Sequence, residues 1–158
     1  MTLPKLSDHQ ISELGTRTLQ ARSLSYSPYS NFKVGAVLLT SDGAFIEGAN
    51  VENASYGACI CAEQTAIVKA ITTGYKSFVA IGVASSSGTV TSPCGICRQV
   101  IREFAPKIEI YMFSEDLSYI VEPLSGLLPL SFGPEDLLNA KETEFMDDSK
   151  ALNGQATL

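Results

Sequence analysis

Cys61-Ala62-Glu63 and, further along the chain, Pro93-Cys94-Gly95-Ile96-Cys97 supply three thiols and one carboxylate. These residue types at this spacing suggest a zinc ion with an open coordination position and a proton carrier beside it. Such a site makes hydroxide near neutral pH and delivers it to a carbon. His9 is the only histidine and has no partner motif, so a donor set of Cys61, Cys94 and Cys97 follows by elimination. The alternative is a closed structural site that adds Cys59 as a fourth sulfur. Against it, Cys59 lies before the predicted helix, and Glu63 would have no task in a closed site. Cys59 itself is expected as a small buried residue rather than a ligand. Redox pairing of the thiols is a further alternative.

The elements that must hold these residues can be read from pattern. Ser7 and Gln10 fit a capping box, and Ile11, Leu14, Thr18 and Ala21 recur at helical spacing, predicting a first helix to about Leu24. Tyr26 to Asn31 reads as a loop. Lys33 to Thr40 and Ala44 to Ala49 read as strands joined at Ser41-Asp42-Gly43. Asn50 to Ile60 carries no clear period and leads into a helix from Cys61 to about Thr73, closed by Gly74.

Phe78 to Ala84 is an apolar run, as expected of a strand covered on both faces. A polar loop follows, then a helix starting at Pro93 or Cys94 and ending before Pro106. Both thiol groups thus fall at helix N-termini, where the helix dipole favours thiolate. Ile108 to Phe113 and Tyr119 to Glu122 are the last two strands. The link between them is too short for a parallel crossover, so they should be antiparallel neighbours. Leu124 to Leu128 is expected as a short helix and Phe132-Gly133-Pro134 as a turn. The order predicts a three-layer α/β/α sandwich on a five-stranded mixed sheet. One domain over 1–140 is expected, with a flexible acidic tail over 141–158.

Bulk properties narrow the function classes. The 158 residues suffice for one domain with a real core, and a net charge of −6 with singly scattered basic residues disfavours a nucleic-acid partner. A hydrophobic content of 45% against 18% charged makes self-association a fair expectation. No run is long and apolar enough to span a membrane, and Met1 to Gln10 lacks the apolar stretch of a signal peptide, so a reducing cytoplasm is the expected location.

Several blocks together resemble the small, homotetrameric, three-cysteine cytidine deaminases. They are Tyr26 to Ala36, Asn50 to Tyr56, Cys61-Ala62-Glu63, Ser92 to Gln99, Leu127-Leu128-Pro129 and Phe132-Gly133-Pro134. The Glu beside a first ligand followed by Pro-Cys-x-x-Cys is the zinc-deaminase signature, with Cys in place of the first His. The resemblance implies one Zn2+ per subunit, held by Cys61, Cys94 and Cys97, and active sites shared between subunits. Phe32 would pack on the pyrimidine and Asn50 and Glu52 would hold the ribose 3′-hydroxyl. Backbone groups of Ala62 and Cys94 would orient the base. Ala54, Tyr56 and Phe132 would reach in from neighbouring subunits, and Tyr29 would sit at a subunit contact. Without the resemblance, Phe32, Tyr56 and Phe132 read as ordinary core, Asn50 as a loop cap and Glu52 as a solvated charge.

The implied reaction is hydrolytic deamination of free cytidine and deoxycytidine in pyrimidine salvage, with Glu63 moving protons from water to N3 and to the departing amine. A carboxylate at Glu52 would repel a 3′-phosphate, which favours a free nucleoside over a polynucleotide. One departure concerns Gln64: relatives commonly carry Arg there, donating to the thiolates. Gln64 can donate hydrogen bonds but no charge, and Arg98 would compensate in part. Rival readings are a deaminase of the blasticidin type, a non-catalytic zinc module for protein binding, and a nucleic-acid editor. Antiparallel final strands argue against the editor, because nucleic-acid-editing relatives typically run them parallel.

Overall fold

The computed structural model describes residues 5–138; the expected acidic tail over 141–158 lies outside the described residues. Helix α1, Asp8–Ala21, begins with the expected capping box: Ser7 accepts from the Gln10 amide and the Gln10 side chain accepts from the Ser7 amide. A 3-10 turn over Arg22–Leu24 completes it. Strands β1, Val34–Thr40, and β2, Phe45–Ala49, form the hairpin, with Gly43 at φ 91° where a side chain would be strained. Helix α2 covers Ala62–Thr72, and strand β3 Phe78–Ser85. Helix α3 covers Gly95–Phe104, followed by β4, Glu109–Phe113, β5, Tyr119–Pro123, and the short α4, Leu124–Leu127.

The sheet order is β2-β1-β3-β4-β5. Only β3 and β4 run parallel, joined by the α3 crossover; β4 and β5 are antiparallel, as their short link requires. Each sheet face buries its own apolar cluster. One holds Leu38, Ile81 and Ile110 with Ala66 and Ile67 of α2 and Ile101 of α3. The other holds Val37, Leu39 and Phe113 under Leu14 and Ala21 of α1. The sheet is therefore sandwiched, with α1 on one side and α2 and α3 on the other.

Register explains why the thiols meet. Gly35 pairs with Ala49 on one side and with Ala84 on the other. The end of β2, the start of β1 and the end of β3 thus share one edge of the sheet. The chain leaves β2 toward α2 and leaves β3 toward α3, so both helices start there. Gly48 sets how closely α2 can approach: a Cβ there would meet the Ala66 nitrogen at 2.4 Å and the Ala62 oxygen at 2.5 Å. Those neighbours are backbone, so they cannot swing aside. Gly48→Ala should therefore cost about 2 kcal/mol or more and shift the start of α2. Thermal melts and zinc content check this; a wild-type melting point with full zinc would show that α2 tolerates the displacement.

Candidate metal centre and substrate cavity

Cys61 is the N-cap of α2 and Cys94 the N-cap of α3, both with extended backbone. Neither uses its side chain to cap its helix, which leaves the thiols free for another partner. Cys97, one turn into α3, is buried. The three Sγ atoms all lie within 4.8 Å of one another, and Cys61 and Cys94 Sγ are 3.9 Å apart. Tetrahedral zinc with Zn–S bonds of about 2.3 Å needs sulfurs about 3.8 Å apart, so the thiols are spaced to hold it.

Their electrostatics point the same way. Hydrogen bonding from Cys97 holds the Cys61 thiol down to about 7, while the same contact, with burial and Glu63, drives Cys97 up. Three acidic groups crowd one small volume, and a cation resolves that competition. Glu63 is 4% exposed at the first turn of α2. Burial raises its carboxyl above the usual range, opposed by a contact with Cys97, so it takes up a proton more readily than a surface glutamate. Gln64 Nε2 lies 3.7 Å from Cys97 Sγ and donates to it.

The cluster opens into a cavity of about 320 Å³. Its walls include Cys61, Ala62, Glu63 and Cys94 from the helix starts, Ser30, Phe32, Asn50 and Glu52 from the two irregular loops, and Val34, Val83, Thr91 and Ser92. Phe32 is 41% exposed, Tyr56 79% and Phe132 60%, so none of the three is core in this chain. Asn50 caps more than a loop. Its Oδ1 accepts from Ser25 Oγ at 2.6 Å and from the Val34 amide at 2.8 Å, and its Nδ2 donates to the Phe32 carbonyl at 2.9 Å. Glu52 is not simply solvated either, because its carboxylate accepts from the Tyr29 and Ser30 amides and from the Ser30 hydroxyl.

Ala54, Tyr56 and Tyr29 lie outside this cavity; Tyr29 and Tyr56 line a neighbouring hollow that shares Ser30 and Glu52 with it. Phe132 is carried on a segment tied to α3 by Gln99 Nε2, which donates to the Phe132 carbonyl at 2.8 Å.

Two expectations change. Cys59 is exposed rather than buried, because its thiol faces Asn53, accepting from that amide at 3.3 Å, instead of turning into the core. It is also absent from the sulfur cluster. Arg98 was expected to offset the charge missing at Gln64. Its guanidinium instead donates to the Pro93 and Leu127 carbonyls and to Ser92 Oγ, bracing the start of α3 against α4.

Comparison with known proteins agrees with this centre. The family described as "Cytidine and deoxycytidylate deaminase zinc-binding region" matches residues 8–113. The chain belongs to the cytidine deaminase family. A cytidine deaminase of Halalkalibacterium halodurans is 46% identical over 122 residues, spanning 75% of this chain and 91% of that protein. One from Sporosarcina psychrophila is 40% identical over 133 residues, 84% of this chain and 98% of the relative. The crystal structure of cytidine deaminase from Burkholderia pseudomallei superposes with a TM-score of 0.73 at 42% identity, covering 80% of this chain and all of that one. Membership in a zinc-binding family and the three-thiol cluster together identify Zn2+ as the cofactor.

The Gln64 amide donates to Cys97, one of the three clustered thiols. Gln64→Arg would place a full positive charge against that thiolate. The expected result is a shifted pH–rate profile or altered zinc retention under chelator challenge. Identical behaviour of both proteins in both assays would dismiss the effect.

Residues that sequence pattern passed over are Ser30, Val34, Val83, Thr91 and Ser92 of the cavity wall. Ser30, Val34 and Ser92 lie inside the motif blocks and Val83 and Thr91 outside them, but nothing in the local pattern marks any of the five as facing a cavity.

Proposed function

We propose that the chain catalyses hydrolytic deamination of free cytidine and deoxycytidine to uridine and deoxyuridine, releasing ammonia, as a step of pyrimidine salvage. The observation that carries the reading is the buried Glu63 carboxylate beside three converging thiols, with Glu63, Cys61 and Cys94 lining a nucleoside-sized cavity. When bound by Cys61, Cys94 and Cys97, zinc supplies the Lewis acidity that makes water a nucleophile near neutral pH. Glu63 takes a proton from that water and passes it to N3 of the pyrimidine. Attack at C4 then makes that carbon tetrahedral. Glu63 next takes the proton of the new C4 hydroxyl and gives it to the exocyclic amine, which leaves as ammonia while the C4 carbonyl forms. Its raised proton affinity suits both halves of this cycle.

Phe32 lies in the cavity wall, where its ring can pack on the base, while Asn50 and Glu52 read the sugar. Backbone groups of Ala62 and Cys94, at the starts of α2 and α3, orient the ring. We further propose a homotetramer in which Ala54, Tyr56 and Phe132 complete neighbouring sites and Tyr29 lies at a subunit contact. The exposure of Tyr29, Tyr56 and Phe132 in the isolated chain supports that arrangement. Among the described residues no helix is long and apolar enough to cross a membrane; a cytoplasmic location is part of the proposal.

Ammonia release from a substrate panel tests the reading. Cytidine and deoxycytidine should turn over, whereas cytidine 3′-monophosphate, blasticidin S and single-stranded RNA should not. Release from blasticidin S or RNA alone would move the assignment to one of those deaminase types.

A further inference from the structure

Ser30 sits at the meeting point of the two groups proposed to read the nucleoside, yet nothing so far gives it a task. Its hydroxyl donates to Glu52 Oε1, and Ser30 Oγ in turn accepts from the Phe32 amide at 3.0 Å. Glu52 Oε2 takes the Tyr29 amide at 2.9 Å and the Ser30 amide at 3.2 Å. Asn31, at φ 56°, turns the chain between Ser30 and Phe32. The loop is thus wound around one carboxylate, and that carboxylate lines the cavity.

Counting bonding capacity shows what remains for a ligand. A carboxylate offers about four acceptor positions, two on each oxygen. Among the described residues Oε2 accepts two bonds and Oε1 one, so the vacant position is on Oε1. The Asn50 amide has both acceptor positions filled by Ser25 and Val34, and one of its two N–H bonds used on Phe32, leaving one donor. One acceptor and one donor are the complement of a single hydroxyl, which gives one hydrogen and accepts another. A phosphate ester gives none and brings charge; a deoxy carbon offers neither.

We infer that Ser30 is a positioning residue for sugar recognition: its hydroxyl fixes which oxygen of Glu52 stays open to a substrate hydroxyl and, through the same atom, seats Phe32 against the base. This rests on the reading of the cavity as a nucleoside site. The Ser30 bond, followed by the loop amides, also holds the Glu52 carboxyl below its ordinary range, which keeps it an acceptor. Without Ser30 the carboxylate loses the contact that orients Oε1 and the Phe32 amide loses its partner. Selectivity for the hydroxyl should fall, and binding should weaken before the chemical step does.

The test compares uridine and 3′-deoxyuridine as competitive inhibitors of cytidine deamination by the full-length zinc enzyme. Wild type should favour uridine by about tenfold or more. Ser30→Ala should bring that ratio below about threefold and raise KM for cytidine about tenfold, with the smaller change in kcat. Ser30→Thr, which keeps the hydroxyl, should restore the ratio. Glu52→Gln separates the role of Ser30 from sugar reading by Glu52 itself. If it abolishes the preference while Ser30→Ala leaves ratio and KM at wild-type values, sugar reading by Glu52 stands and the role of Ser30 is overturned. If wild type and Glu52→Gln show the same ratio, the nucleoside-site reading beneath it fails.

Discussion

Glu63→Gln should lower the rate of cytidine deamination by at least about a thousandfold while leaving zinc content and melting temperature near wild type. The side chain is almost fully buried at the start of α2, and the amide has nearly the same shape, so packing is preserved. What disappears is a group able to carry two protons in turn, the first from water to N3 and the second from the new C4 hydroxyl to the amine. A glutamine has no proton-accepting form at neutral pH, so every transfer assigned to Glu63 is lost together. Metal analysis, a thermal melt and ammonia release on one preparation check the outcome. Substantial remaining turnover with zinc in place would remove Glu63 from the proton path.

Cys97→Ala should act on the other half of the site. Cys97 is fully buried and is the sulfur shared by most contacts of the cluster: Cys61 and Glu63 both lean on it, and Gln64 donates to it. Removing one of three sulfurs leaves too few ligands for tight binding. Zinc should fall from one per chain to a small fraction, activity should drop by more than about a thousandfold, and the protein should melt at lower temperature because metal binding is linked to folding. Cys59→Ala provides the contrast. Its thiol is occupied with Asn53, outside the cluster, so zinc and turnover should persist. Equal zinc loss in the two variants would instead argue for a closed site of four sulfurs.

What the sequence made legible was mostly local. The Ser7 and Gln10 capping box, the two cysteines at helix starts and the Gly43 hairpin depend on neighbours within a turn, and each has a residue-level signature. The antiparallel pairing of β4 and β5 was legible from link length alone. The segment from Asn50 to Ile60 showed no period because its order comes from closing on itself and from partners on the 25–34 stretch. Val51 bridges both Tyr26 and Ile60, and Asn50 gathers Ser25, Phe32 and Val34. Neither contact follows a helical or strand repeat.

The same reason accounts for Arg98 and Cys59. Position beside Cys97 suggested that Arg98 serves the metal, but its strongest geometric demand comes from the Leu127 carbonyl, 29 residues away in sequence. Residue type suggested a buried Cys59, but the loop that carries it closes on Asn53 at the surface. In the candidate site, motif spacing was enough to pick out the three thiols that cluster and the Glu63 that lines the cavity. The link from Ser30 to Glu52 spans 22 residues between two irregular loops, and only the folded chain brings it into view.

Zinc-edge X-ray absorption on the metal-loaded protein tests the open three-thiol centre, because it counts the atoms around the ion. The expected spectrum has three sulfurs at about 2.3 Å and one lighter oxygen or nitrogen at about 2.0 Å, the open position of a working centre. A shell of four sulfurs, or a protein that cannot be loaded with zinc at all, would rule out an open zinc centre held by Cys61, Cys94 and Cys97.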